Sequence, residues 1–310
     1  MSARLRAAAA VAAGAFLVSG LAGCSGGGSA DAGTTGSAAN ASCPNGKIRM
    51  GVEPFEDPGK LEPAFRTMAA GLSKKLNCPV DVSIVEDYSA EVLAMENGKL
   101  DMAVLGPLGF VFANRRADAQ AVASFGLADG TLSSYTAGIW VPKDSSIQTV
   151  ADLKGHSLAL GSTGSTSGDA LPRYALKQAG LSDDDVDENY AGGHPEAMLA
   201  LTNDTVDAAE INSQTQATAT REGTFDPKKF RQIWKSDGIP NDPVTVAGKL
   251  GPEFQAAVQA ALLDLDTADV KQIGAYLDVD PAGPLVKVDK STYQPLFDLA
   301  DTLGLTDKDV

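Results

Sequence analysis

Hydrophobic positions after residue 43 follow two alternating rhythms. Short apolar runs, "KIRMGV" from Lys47, "VDVSIVE" from Val80 and "LDMAVLG" from Leu100, have the length and composition of buried strands. Between them, "GKLEPAFRTMAAGLSKKLN" and "SAEVLAMENGK" repeat apolar residues every three or four positions and predict helices. The rhythm restarts at "DLKGHSLALG" from Asp152 and runs through "DALPRYALKQAG", "HPEAMLALTND" and "VDAAEI". Strands separated by helices predict βαβ units with mostly parallel sheets, so the expected class is α/β with two units.

The units echo each other. "YSAEVLAMENGKLDMAV" from Tyr88 aligns with "HPEAMLALTNDTVDAAE" from His194 at a constant offset of 106 residues, matching Leu93 to Leu199, Asn97 to Asn203 and Asp101 to Asp207. Any βαβ chain repeats this grammar. If the echo is structural, Tyr88 and His194 occupy equivalent helix N-termini, one in each lobe, where they can face each other across a cleft. Residues 133–145 read as an extended crossing suited to a hinge, and residues 233–246 as its return. These boundaries divide the chain into lobe 1, residues 44–140 and 245–310, and lobe 2, residues 141–244. After Gly248 the pattern is helical, interrupted near Pro281 and Pro284, and is expected to pack on the first lobe.

Residues 1–23 change the picture at the front of the chain. Arg4 and Arg6, an apolar run from Ala7 to Val18 and then small residues read as a signal peptide. "LAGC", Leu21 to Cys24, resembles the lipobox of bacterial lipoproteins, which implies a lipid on Cys24 and a location at the cell membrane, facing away from the cytoplasm. Residues 24–42 are almost all Gly, Ser, Ala and Thr, a flexible tether with too little apolar surface to fold. Cys43 and Cys78 remain, and two cysteines in an exported domain suggest a disulfide, with two free buried thiols as the alternative.

Without residues 1–23 the chain holds 23 basic against 40 acidic residues, a net charge near −17. Nucleic acid is therefore an unsuitable partner. The whole-protein field also opposes any anion, so an anion site would have to work through locally aimed dipoles. Only His156 and His194 exist, and neither stands in metal-ligand spacing with a cysteine, so neither a metal nor another cofactor is expected.

Candidate chemistry centres on "LALGSTGSTSGDALPRYALKQAG", Leu158 to Gly180, where an apolar run gives way to a hydroxyl-and-glycine loop and then an amphipathic helix. The first N–H groups of that helix have no partners within it, and Ser165, Thr166 and Ser167 add hydroxyls, so an oxyanion would fit. Simple capping of the helix is the alternative. A nucleotide loop of the Gly-Lys-Ser/Thr type is excluded, because no lysine occurs between Lys154 and Lys177.

The lipobox, the two-lobe grammar, "STSG" at Ser165, "GGHPEAMLAL" around His194 and "IWKSDGIPNDP" around Asp242 together resemble the PhnD family of phosphate-, phosphite- and phosphonate-binding proteins of ABC importers. The resemblance implies a two-lobed periplasmic-binding-protein fold of type II with the ligand between the lobes. It also implies a monomeric receptor that presents its ligand to a permease and its ATPase and performs no chemistry. Ser165, Thr166 and Ser167 match the family's oxyanion loop. Tyr88 matches its first-lobe tyrosine, His194 its second-lobe histidine, and Asp242 the aspartate at the return crossing.

Two positions depart from members that bind 2-aminoethylphosphonate: Leu105 stands in place of a tyrosine, and Gln214 in place of the glutamate facing the ammonium. Glu210 is a possible substitute for that glutamate. An aspartate facing an oxyanion repels it unless a proton lies between them, so Asp242 favours ligands carrying P–OH or an amine. Phosphite or a small alkylphosphonate fits best, with phosphate or 2-aminoethylphosphonate as alternatives. A rival reading, a hydrolase built on a Ser-His pair, requires His194 within reach of one of these serines and an acid to orient it.

Overall fold

The computed structural model describes residues 42–182 and 184–306. The signal peptide, Cys24 and all of the expected tether except Ser42 lie outside the described residues. Ser42 is already anchored, its hydroxyl donating to Leu76 O at 3.1 Å.

The first half runs β1 (Ile48–Val52), α1 (Pro58–Leu76), β2 (Val80–Ile84), α2 (Tyr88–Glu96), β3 (Met102–Val104), α3 (Pro107–Ala117) and β4 (Gln120–Leu127). Two residues, β5 (Ser134–Tyr135), lead to β6 (Gly138–Pro142), β7 (Ser157–Leu160), α4 (Leu171–Gln178), β8 (Asp187–Tyr190), α5 (His194–Thr202), β9 (Ala208–Glu210), α6 (Ser213–Glu222) and β10 (Phe230–Lys235). The chain returns through β11 (Ile239–Pro240) to β12 (Pro243–Val246), α7 (Gly251–Leu263), α8 (Thr267–Tyr276), β13 (Ala282–Lys287) and α9 (Gln294–Leu303). Among the described residues no helix is long and apolar enough to cross a membrane.

Two sheets define the lobes. The first has the order β13-β4-β12-β3-β1-β2 and the second β10-β6-β9-β7-β8. A two-stranded ribbon, β5 with β11, joins them, and it is the crossing itself. The expected crossings are narrower than drawn from sequence: β6 pairs with β9 and β10 in the second sheet, and β12 lies between β3 and β4 in the first. Boundaries at 140/141 and 244/245 thus cut through strands. Their apolar runs continue the crossings without a break, which is why the pattern hides the transition. The interruption at Pro281 and Pro284 is likewise a strand, β13, on the edge of the first sheet where a missing proline N–H is tolerated.

The internal echo is structural. β1 pairs parallel with β2 and β3, as β7 does with β8 and β9. α2 and α5 each end on an asparagine, Asn97 and Asn203. Asp101 Oδ2 accepts the Arg49 N–H at 3.0 Å, and Asp207 Oδ2 accepts the Ser157 N–H at 2.9 Å. The matched aspartates therefore do the same work, closing the first strand of each unit onto the turn before the third.

The first lobe buries two clusters, one around Phe65, Met68 and Phe254 and one around Phe110, Phe112 and Tyr293. The second buries Ile139, Leu158, Leu160 and Leu176 on one face of its sheet and Trp140, Met198 and Phe225 on the other. Trp140 is core, with its indole N–H given to Ile211 O at 3.0 Å. Cys43 and Cys78 are joined, Cα to Cα 5.4 Å, tying the entry of the domain to the end of α1. Closing a loop of 35 residues contributes about 4 kcal/mol in the loop-entropy account.

Candidate functional site

The loop after β7 is built to aim hydroxyls. Gly164 adopts φ +83°, a turn open to glycine, and its N–H is held by Asp169 Oδ2 at 2.9 Å. Ser165 then caps a π-helical turn, Thr166–Ala170, that continues into α4. All three hydroxyl residues are almost completely buried. Each oxygen already accepts a protein hydrogen: Ser165 from Gly168 N at 3.2 Å, Thr166 from Leu108 N at 2.8 Å and Ser167 from Asn212 Nδ2 at 3.1 Å. Their own O–H hydrogens are left to donate. Ser165 is therefore both a cap and a donor, so the capping and binding readings of the loop are compatible. The Leu108 contact also bridges the lobes, because that N–H belongs to the first turn of α3.

His194 opens α5 ahead of Pro195, at a helix start where negative charge is favoured. Its Nδ1 lies 2.6 Å from Glu210 Oε1, and its Nε2 lies 3.3 Å from Ser165 Oγ and 3.5 Å from Tyr88 Oη. Burial opposes a charged imidazole, but Glu210 outweighs it and holds the histidine above its ordinary range. Glu210, raised by its own burial, is the orienting acid of the imidazole. Its Oε1 is committed to His194, and it is not among the residues that line the cavity described below.

The first lobe supplies an acidic wall. Asp242, just before β12, is 3 % exposed, and burial raises its carboxyl to about 7. Glu53, just past β1, lines the same cavity and accepts the N–H of Gly106 at the N-terminus of α3. Burial, then the charges of Asp242 and Glu91, push Glu53 well above the carboxylate range. Tyr88 and Tyr135 are raised by burial and by these same carboxylates, so both remain neutral donors.

Tyr88, Ser165, Thr166, Ser167, His194, Gln214 and Asp242 line one cavity of about 10 Å³, together with Glu53, Phe55, Gly106, Tyr135 and Asn212. Gln214 sits at its edge with its amide hydrogens committed to Asn241 Oδ1 at 3.1 Å and Leu277 O at 3.2 Å. Leu105 lies in the core of the first lobe beneath α3 and does not line the cavity. Glu53, Tyr135 and Asn212 escaped the sequence reading. "GVEPFED" resembles an ordinary acidic turn, Tyr135 was absorbed into the crossing, and Asn212 carries only the signature of a helix cap. A roomier groove of about 530 Å³ runs beside this cavity between Phe112, Lys177 and Leu305, lined by aliphatic and charged groups, without the convergence of hydroxyls.

Ser165, His194 and Glu210 satisfy the distances expected of an activated nucleophile. His194 Nε2, however, is shared with Tyr88, and Ser165 Oγ is also engaged as a helix cap by the Gly168 N–H. The arrangement suits holding an anion.

Known proteins match on this frame. A family model described as "ABC transporter, phosphonate, periplasmic substrate-binding protein" covers residues 50–293. The phosphonates-binding periplasmic protein of Escherichia coli K12 is 30% identical over 202 residues, 64% of this chain and 60% of that protein's length. The phosphate-import protein PhnD of Mycolicibacterium smegmatis is 25% identical over 217 residues, 66% of this chain and 68% of its own. The probable ABC transporter phosphite binding protein PhnD1 of Prochlorococcus marinus is 24% identical over 271 residues, 83% of this chain and 90% of its own. The fold superposes on the solved structure of PhnD1 from that organism with a TM-score of 0.73, at 22% identity over 84% of this chain and 99% of that one.

Proposed function

We propose a role that begins from one established fact: the chain belongs to the periplasmic substrate-binding proteins of phosphonate ABC transporters. Its ligand is a small phosphorus oxyanion, phosphite or a small alkylphosphonate before others, which it captures between its lobes and passes to a permease and its ATPase without chemical change.

One observation carries this reading. Three hydroxyls whose oxygens are already satisfied as acceptors converge with His194 and Tyr88, from opposite lobes, on a cavity of about 10 Å³. Such a set supplies donors with little net positive charge, as an anion site on an acidic protein requires. Gln214, a neutral amide whose hydrogens go to Asn241 Oδ1 and Leu277 O, disfavours an ammonium-bearing arm. Asp242 disfavours a fully ionised sulfate or sulfonate, whose oxygens would meet an acceptor. The three curated relatives are named for phosphonates, phosphate and phosphite, which supports the class and keeps phosphate as the second reading.

The "LAGC" segment supports a lipid anchor on Cys24 and so a receptor, a monomer in this reading, on the outer side of the cell membrane. Calorimetric titration of the purified protein with phosphite, methylphosphonate, phosphate, 2-aminoethylphosphonate and sulfate tests the ligand. Tight binding of phosphite or methylphosphonate with sulfate silent is the expected outcome. Tight binding of sulfate, or preference for 2-aminoethylphosphonate, overturns the assignment.

A further inference from the structure

No lysine or arginine lines the cavity, yet two carboxyls do. The groups facing Glu53 are Tyr88 and Glu91 from α2, Tyr135 from the ribbon, Asp242 before β12, and, from the other lobe, His194 with Glu210 behind it. Of these only His194 can be positive, and Glu210 balances it. An anion entering this space with Glu53 and Asp242 both ionised would meet two like charges in a desolvated setting, where such contacts cost most.

Glu53 is nevertheless held in place. Its carboxyl accepts the Gly106 N–H, and a Cβ on Gly106 would come within 3.0 Å of both carboxyl oxygens, so glycine is what lets the carboxyl lie against the start of α3. A side chain fixed this way, 2 % exposed and facing the ligand space, is positioned to take part in binding.

We propose that Glu53 is a specificity-determining residue that shares one proton with Asp242 and places it between the first lobe and a ligand oxygen, so that oxyanion and proton are held together. The inference rests on the functional reading above and deepens it. The ligands that fit are oxyanions with an oxygen able to share that hydrogen, which is the chemistry of phosphite, phosphonates and phosphate. The raised carboxyls of Glu53 and Asp242 agree with the geometry. Which atom carries the hydrogen is a property of the whole cluster, since interacting sites titrate together.

The test compares the wild-type chain with Glu53→Gln by titration with phosphite from pH 6 to 9.5, in buffers of different ionisation enthalpy. Ligand protonation is common to both proteins and cancels in the comparison. Wild type is expected to bind with a dissociation constant that is level at low pH and rises by up to about tenfold per unit more steeply than the variant's once the carboxyl pair ionises. The amide keeps a hydrogen at every pH, so Glu53→Gln is expected to bind with a flatter profile and to take up fewer protons. Coincident profiles and equal proton uptake overturn the role of Glu53 while leaving the functional reading intact. Absence of binding by wild type to any phosphorus oxyanion overturns that reading, and this inference with it. Should Glu53→Gln not fold, wild type carrying 13C at glutamate Cδ decides the matter. Glu91 and Glu210 are also raised by burial, so the Glu53 signal is identified by its loss in Glu53→Asp. A Glu53 carboxyl that titrates above the ordinary range and responds to phosphite is expected, and one that titrates in the ordinary range overturns the proposal.

Discussion

Tyr88 Oη and His194 Nε2 lie 3.5 Å apart across the cleft, on residues that open α2 and α5 and stand 106 positions apart. A repeated unit thus delivers the same helix start to each wall, carrying a phenol on one side and an imidazole on the other. Because each side chain reaches the other lobe only when the lobes are together, the pair reports closure. Tyr88→Phe is expected to weaken phosphite binding by roughly 1.5–3 kcal/mol, the worth of a hydrogen bond to a charged group, or about ten- to 150-fold. Calorimetry with an unchanged dissociation constant would remove the phenol from the site.

Thr166 carries a second cross-lobe contact through Leu108 N–H. Thr166→Ala deletes a donor to the anion and strands that N–H, so it should weaken phosphite binding by at least as much as Tyr88→Phe. Thr166→Ser restores a hydroxyl and should recover most of the loss. If serine behaves as alanine does, packing of the threonine methyl is the operative feature.

Glu210 raises His194 above its ordinary range against the opposing effect of burial. Its replacement by glutamine lets the imidazole lose its proton at lower pH, so phosphite binding by Glu210→Gln should fall off earlier than in wild type as pH rises. A profile superimposable on wild type would show that neutral imidazole suffices.

The ligand-free protein should lose stability between pH 5 and 8. Asp242, Glu53 and Glu91 are raised in the fold by burial, so the native state binds more protons than the unfolded chain through this window, and stability falls with rising pH. Asp101, whose carboxyl is lowered chiefly by Arg49 against the opposing effect of burial, contributes with the opposite sign. That contribution is present above its unfolded value and is lost only as pH falls through the acid range, so the two effects separate. A melting temperature that climbs from pH 5 to 8 would mean that the buried carboxyls are ionised in the fold.

Reduction of Cys43–Cys78 should lower the melting temperature, since it releases a loop whose closure contributes about 4 kcal/mol. Calorimetric scans with and without reductant, with thiols counted by mass spectrometry, measure this directly.

Much of the fold and part of the site were legible because they rest on local signals. The hydroxyl loop, the helix starts at Tyr88 and His194 and the repeated aspartates are short-range patterns that packing only brings together. Glu53, Tyr135 and Asn212 were not legible, because their burial is made by other elements. Glu53 becomes a buried acid only when the start of α3 and the return strand β12 close over it. Leu105 illustrates the converse. An aligned position predicted contact with ligand, but the alternation of side chains after β3 turns it into the core. Glu210 alternates the other way and meets His194.

The position of β12 governs how this chain can be assembled. Thr245 Oγ1 donates to Ala103 O, its partner 142 residues earlier, and the strand fills the gap between β3 and β4. The second lobe is one unbroken stretch and can form its sheet from β6 to β10 from local chain. The first lobe cannot complete its sheet until β12 and β13 arrive in the last quarter of the polypeptide, and until then β4 is unpaired on both edges and β3 on one. A chain cut before Pro243 should therefore retain a folded second lobe beside an incomplete, aggregation-prone first one.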